Sequence, residues 1–284
     1  MDTAFERHRE RLFGLAYRML GTRADAEDAL QEAWLRWSQA DRAQIRDAEA
    51  WLVATATRLC IDRLRHAQRE RESYVGPWLP EPLPAGAVTT PQDAVELAND
   101  VSLAFLAALE RLAPEERAAF LLKDVFDYDH AEIAALLGKS EAACRQIVHR
   151  ARERVRAARP RRAVDRATHR HLLERFLEAA SAGDHASVMR LLTDDARFTA
   201  DSGGKVPSVR RVQEGADRIA RLFRAVARLV AGRMRWRLTE INGEPAIARE
   251  LDGRLHSVLC IVCDGERIAE ILQVMNPDKL RALH

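Results

Sequence analysis

Over residues 1 to about 72, apolar positions recur at intervals of three and four with polar positions between them, the period of helices that bury one face. From Asp25 onward Leu30, Ala33, Trp34 and Trp37 form such a stripe, and Asp28, Gln31, Glu32 and Leu35 repeat the spacing on the adjoining face. The pattern breaks at Gly21-Thr22 and between Asp41 and Asp47, then resumes in a helix from about Glu49 to Arg71 that grows basic toward its end. Between residues 73 and 93 it stops, because Pro77, Pro80, Pro82, Pro84 and Pro91 forbid a regular helix and favour extended chain. Past residue 164, helices are predicted over 168–182, around Ser187–Leu192 and near Ala216–Leu229. The period then changes to two in MRWRLTEI, PAIAREL, HSVLCIVC and IAEILQVM. The turns Asn242-Gly243, Asp252-Gly253 and Asp264-Gly265 separate these segments, which predicts a curved antiparallel sheet with helices on one side.

One stretch carries a finer pattern. Asp129 can cap a helix with Glu132 three residues on, Ile133, Leu136 and Leu137 form its buried side, and Gly138 ends it. Ser140 can cap a second helix in which Ala143, Ile147 and Val148 face inward while Arg145, Gln146, His149, Arg150 and Arg152 face outward. Two helices joined by a short glycine-containing turn are the helix-turn-helix pattern, which lays the start of its second helix in the DNA major groove. A helical hairpin with a solvated basic face has the same periodicity. Charge separates the two: from Arg145 to Arg162 the chain carries Arg145, Arg150, Arg152, Arg154, Arg156, Arg159, Arg161 and Arg162 against Glu153 alone, a footprint for a polyanion.

The whole chain of 284 residues has a formal net charge of only +2, so this reading rests on where the charges sit. With 47% hydrophobic and 31% charged residues it is a globular composition of two or three domains. No apolar run reaches bilayer length, and the charged start MDTAFERHRERLF is unlike a secretory leader, so a cytoplasmic protein with no membrane partner is expected. Cys60, Cys144, Cys260 and Cys263 are scattered and fit a reducing compartment. The expected fold class is multidomain: two all-α domains, the second with the helix-turn-helix, and a C-terminal α+β domain. Expected boundaries are 1–72, a proline-rich linker at 73–93, 94–160 and 164–284.

On the predicted helix from Glu49, Trp51, Thr55, Arg58, Asp62, Arg63 and Arg65 could form a rim of aromatic, hydroxyl and guanidinium groups, the kinds that hold unstacked bases and single-stranded backbone. A core tryptophan with snorkelling arginines would look the same. The acidic row Asp28, Gln31, Glu32 would, on a lone helix, be a solvated face.

DAEDALQEAWLRW at 25–37, AWLVATATRLCIDRLR at 50–65 and the ending HRARERVR together resemble the extracytoplasmic-function sigma factors of RNA polymerase. The resemblance covers most of residues 5–158. It implies that Asp28, Gln31, Glu32 and Leu35 dock on core RNA polymerase, and that the helix bearing Trp51, Thr55, Arg58, Asp62, Arg63 and Arg65 opens and holds the downstream promoter element as melted single strand. Ser140, Arg145, Gln146, His149, Arg150 and Arg152 would contact the duplex upstream element. A linker of about twenty residues reaches at most about 65 Å, and one and a half turns of B-DNA measure roughly 50–55 Å, so two DNA-reading domains could act at once. A monomer is expected.

Within the linker, Trp78-Leu79-Pro80-Glu81-Pro82-Leu83 is too apolar for a plain spacer and reads either as a docking peptide or as a strap on the nearest helical domain. The helix-then-sheet order after residue 164 resembles the SnoaL-like α+β domains, and a subgroup of these sigma factors carries such an extension. Its marks are matched by WLPEP at 78–82, DSGGK at 201–205 and NPDKL at 276–280, with Ser202 where glycine is usual. The resemblance implies control by the fused domain. A physical form of that control, stated as a hypothesis, is a contact joining Trp78, Leu79, Pro80, Glu81 and Pro82 to Asp201, Gly203, Gly204, Lys205 and to Asn276, Pro277, Asp278, Lys279, Leu280. A pocket in such a domain is a candidate site for a small-molecule ligand.

Other SnoaL-like domains are enzymes. Asp201, Glu240, Asp252, His256 and Glu270 are the titratable candidates here, but no spacing pairs two of them, so an enzyme is not expected and no cofactor is implied. DSGGK lacks the first glycine of a phosphate-binding loop, since residue 199 is Thr. His256, Cys260 and Cys263 have a metal-like spacing, yet in a strand the two thiols point to opposite faces, so buried strand cysteines and no metal are expected. The rival to the sigma reading is a ligand sensor or enzyme fused to a DNA-binding repressor or activator, which would need a dimer interface and palindromic half-sites.

Overall fold

The structure, a computed structural model, describes residues 3–84, 86, 87, 101–158, 162 and 164–283. The chain divides into two compact units, Met1–Ser73 with Leu106–Ala158, and Tyr74–Phe105 with Arg159–His284.

The first unit is helical. Helices α1 (Thr3–Leu20), α2 (Arg23–Gln39) and α3 (Ala48–Arg71) pack together, with a short 3-10 turn at Arg42–Gln44 before α3. The expected break at Gly21-Thr22 exists because Gly21 takes a φ of 79° and Thr22 then caps α2, accepting from the Asp25 N–H at 3.2 Å. Leu12, Leu15, Tyr17, Ala29, Leu30, Ala33, Trp37, Leu52, Ala56 and Leu64 fill the core. Trp34 corrects the predicted stripe. It is 43% exposed, because at 100° per residue it sits about a quarter-turn round the helix from the arc of Ala26, Ala33 and Trp37.

Helices α4 (Leu103–Leu109), α5 (Pro114–Asp124), α6 (His130–Leu137) and α7 (Glu141–Ala158) follow. The buried side of α7 runs Cys144, Ile147, Val148, Ala151 and Val155, while Ala143 and Leu137, both expected inside, are only half-buried. Arg117 of α5 is fully buried within the unit. Its guanidinium donates to Met19 O of α1 and to Glu110, each at 2.7 Å, and Glu110 also pairs with Arg71 of α3. A buried guanidinium persists only when charge-paired and hydrogen-bonded, so this cluster ties α4 and α5 to α1 and α3.

In the second unit, α8 (Arg166–Ala182), α9 (His185–Leu191) and α10 (Ala216–Leu229) cover one face of a six-stranded sheet of order β2-β1-β6-β5-β4-β3. The strands are β1 (Leu192–Asp201), β2 (Gln213–Glu214), β3 (Met234–Ile241), β4 (Glu244–Leu251), β5 (Arg254–Asp264) and β6 (Arg267–Val274). β3 to β6 form the antiparallel meander that the alternation predicts. β1 extends it, parallel to β6, placing the end of β1 beside the end of β6 with Asp201 opposite Val274. The helix-side core holds Phe176, Phe198, Phe223, Ile247, Leu259, Ile261 and Ile271.

Candidate functional site

On α2, Asp28, Gln31 and Leu35 are exposed and Glu32 half-exposed, with Trp34 beside them. An acidic rim around Trp34 and Leu35, 43% and 40% exposed, is unlike a plain solvated face and has the mixed character of a docking surface. Arg63 of α3 reaches this face, donating to Asp28 O at 3.3 Å.

The predicted row on α3 is divided. Trp51 is half-buried and packs its ring on Trp37, centroids 5.4 Å apart, while Thr55 is buried. Arg58, Asp62 and Arg65 are exposed. Two of them have partners in the helix-turn-helix half of the unit: Arg58 donates to Leu136 O at 3.4 Å and Arg65 to Glu115 at 2.7 Å.

The helix-turn-helix is built as its residues predict. Asp129 and Glu132 form a reciprocal capping box, and Gly138 ends α6 at a φ of 65°, a conformation that suits glycine. Ser140 accepts from the Ala143 N–H at 3.2 Å and so starts α7. Arg145, Gln146, His149 and Arg150 are exposed on its first turns. Arg145 pairs with Glu141, and His149 lies 3.7 Å from Glu153. Arg152 binds both oxygens of Asp124 and Arg154 binds Glu116, so part of the basic run holds α7 to α5. Arg159 and Arg161 lie outside the described residues.

Pro91 lies outside the described residues, and in the second unit the linker over residues 74–84 is not a free tether. It lies on the sheet domain, with Leu79, Pro80, Pro82 and Leu83 buried and Trp78 and Glu81 half-buried. Asp201 is the centre. Fully buried at the end of β1, its carboxylate accepts from Tyr74 Oη at 2.5 Å, Leu79 N at 2.8 Å, Gly203 N at 3.1 Å and Lys279 Nζ at 2.7 Å. Lys279 also donates to Leu79 O and lies 3.9 Å from the centroid of the Trp78 ring, a cation on an aromatic face. Asn276 donates to Tyr74 Oη at 2.9 Å, Leu280 is buried, and Lys205 pairs with exposed Asp278. Pro277 is exposed beside them.

Desolvation and the Asp201 carboxylate push the Tyr74 hydroxyl well above the usual phenol range. A methyl group on Gly203 would come within 2.5 Å of Asn276 Nδ2 and 3.0 Å of Tyr74 Oη, so the glycine admits the linker. Sequence reasoning missed Tyr74 and also Asn242. Asn242 Oδ1 accepts from Leu83 N, its Nδ2 donates to Val101 O, and its own N–H donates to Leu83 O, at 2.9, 2.9 and 3.0 Å. The Asn-Gly turn was visible in the sequence. Its grip on both flanks of the linker was not, since no local spacing encodes it.

The remaining candidates do not form a catalytic set. Glu240 pairs with Arg166, Asp252 pairs with Arg233 in an exposed turn, and Glu270 is half-buried. His256 alone faces the cavity between the sheet and α10. Cys263 belongs to the helix-side core and Cys260 is buried outside it. Burial raises both thiols, Cys263 to about 12. Among the described residues no group of three His, Cys, Asp or Glu side chains is placed to hold a metal, and no helix is long and apolar enough to cross a membrane.

Comparison with known proteins places this geometry. The family model for Sigma-70 region 2 matches residues 4–70 and that for Sigma-70 region 4 matches residues 102–155. The chain is 45% identical over 221 residues to the ECF RNA polymerase sigma factor SigJ of Mycobacterium tuberculosis, covering 77% of this chain and 70% of that one. It is 32% identical to the probable ECF RNA polymerase sigma factor SigI of the same species, covering 100% and 96%. The crystal structure of M. tuberculosis SigJ superposes with a TM-score of 0.79 at 37% identity over 98% of this chain and 97% of that one, so the SnoaL-like extension is shared. These matches do not favour a repressor or activator. The chain belongs to the extracytoplasmic-function RNA polymerase sigma factors, which act in transcription initiation and are not an enzyme class, with core RNA polymerase and promoter DNA as the partners its two sigma regions imply.

Proposed function

We propose that this sigma factor is held inactive by its own C-terminal domain, which grips the linker between the two sigma regions. The observation that carries the reading is the double anchorage of the linker: Asp201 and Lys279 hold Leu79, and Asn242 holds Leu83 and Val101. With both flanks fixed to one domain, the helical domains cannot use the full linker length to reach two promoter elements. Within the first unit the engagement of Arg58 and Arg65 by Leu136 and Glu115 supports the same reading, since groups meant for promoter DNA are occupied.

In this reading residues 1–72 carry the polymerase face of Asp28, Gln31, Glu32 and Leu35 and the downstream-element face of Arg58, Asp62, Arg63 and Arg65, with Trp51 and Thr55 as supports. Residues 94–160 read the upstream element through Ser140, Arg145, Gln146, His149, Arg150 and Arg152. Residues 164–284 are a control domain that senses a small molecule and does no chemistry, because its cavity lining offers no carboxylate to pair with His256. The protein works in the cytoplasm as a monomer.

The test is promoter-directed transcription with purified core polymerase, comparing the full chain with Trp78→Ala and Lys279→Met. Both variants loosen the linker, and removing one partner of a buried ion pair costs about 3–5 kcal/mol. Each is expected to raise transcription severalfold at unchanged core binding; equal or lower output from folded variants would contradict the restraint.

A further inference from the structure

The cavity between the helix-covered face of the sheet and α10 has a volume of about 380 Å³, within the range of small-molecule sites. Its walls are largely apolar, among them Phe198, Leu222, Phe223 and Met275. Into this lining β4 and β6 bring Arg249 and Gln273. Arg249 is only 4% exposed. Its Nη1 donates to Gln273 Oε1 at 3.2 Å, its guanidinium stacks 4.8 Å from the Trp236 ring centroid, and its Nε has no hydrogen-bond partner. Burial lowers its pKa to about 10. A buried cation of this kind is costly unless an anion faces it, and none of the residues lining the cavity is Asp or Glu. Arg233 at the rim already has Asp252.

Two further polar groups converge there. The Gln273 amide N–H reaches only the Met275 sulfur, at 3.3 Å, a weak acceptor that a ligand oxygen would replace with gain. His256 has its pKa lowered by burial and by the Arg249 charge, so it stands as a neutral imidazole able to donate one hydrogen bond.

We propose that this cavity binds a small apolar organic acid as its anion, the carboxylate pairing with Arg249 and the Gln273 amide and the hydrocarbon body lying against Phe198, Phe223 and Met275. A guanidinium fork matches a carboxylate bidentately, and pairing gains strength in a dry site. The inference rests on the reading of the domain as a sensor and names the class of ligand sensed. Met275 lines the cavity while its N–H donates to Asp201 O at 2.7 Å, so the ligand would lie one residue from the linker's anchor.

The experiment is calorimetric titration of the full chain at pH 7.5 with benzoate, 2-naphthoate and decanoate, each beside its primary amide. At least one acid should bind saturably and about tenfold more tightly than its amide. Arg249→Met should abolish that preference while leaving amide binding intact, and Val226→Trp, which fills the cavity from α10 without touching the charge, should abolish both. The wild-type preference stands as a test even if a variant fails to fold. No saturable acid binding, equal affinities for acid and amide, or a preference that survives in folded Arg249→Met would overturn the proposal. Because binding is read without transcription, acid binding with no effect of Lys279→Met on promoter output would remove the restraint and leave the site, and the converse would remove the site alone.

Discussion

Asp201 shows how much a single side chain can organise. Buried and accepting four hydrogen bonds, it joins β1 to Tyr74, Leu79 and Lys279, residues distant in sequence. Gly203 makes that possible by leaving no Cβ where Tyr74 and Asn276 meet and by holding a φ of 57°. Gly203→Ala adds a methyl group at a position doubly hostile to it, so the variant should lose about 1–3 kcal/mol, the usual cost of backbone strain in the left-handed region. Limited proteolysis of the linker should accelerate in step, and thermal melts would check the stability; an unchanged melt and cleavage rate would contradict the packing. Ser202 illustrates tolerance at the neighbouring position, where the hydroxyl accepts from Gly204 N at 3.3 Å. The motifs DSGGK and NPDKL were legible in the chain as marks of a contact. Arg249 was not, because a strand arginine reads as a solvated residue until the helix-covered side of the sheet is known.

At the scale of elements, the local signals were the dependable ones. The Asp129–Glu132 capping box, the Gly138 stop and the Ser140 cap are encoded within a few residues and folded as expected. β1 was missed because LTDDARFTAD carries three aspartates and begins directly at a helix end, and only Ala196, Phe198 and Ala200 betray an alternation. Trp34 was assigned inward because helical spacing admits it, whereas the buried arc of α2 is narrower than the apolar count suggests. The recognition helix α7 yields a prediction of its own. In the proposed reading Gln146, exposed on the first turns of α7, reads a base edge and Arg150 grips phosphate. Gln146→Ala should therefore lose discrimination at one upstream base pair by about 1–3 kcal/mol. Arg150→Ala should weaken all sequences alike and lower the salt dependence by about one phosphate contact. Competition binding with single-base variants of the upstream element separates the two, and uniform weakening by Gln146→Ala would contradict base readout.

For the whole molecule, the domain classes were legible because each has its own period, helical before the linker and again after it, then alternating. The arrangement was legible only in part: the motifs mark the contact of the linker with the C-terminal domain, whereas the reach of Arg117 to Met19 O and the hold of Asn242 on Leu83 and Val101 are contacts across long sequence separations with no local spacing to encode them. If the proposed restraint acts, the free protein keeps α3 and α7 in one compact unit until the linker is released. The four native cysteines are buried, so spin labels can be directed to Ser38→Cys and Arg156→Cys, both exposed sites on the first unit. The distance distribution between them, measured by pulsed electron spin resonance, should be short and narrow in the free chain. It should move to longer, broader values when Lys279→Met is added; a distribution already broad in the parent chain, or unmoved by loss of Lys279, would contradict the account.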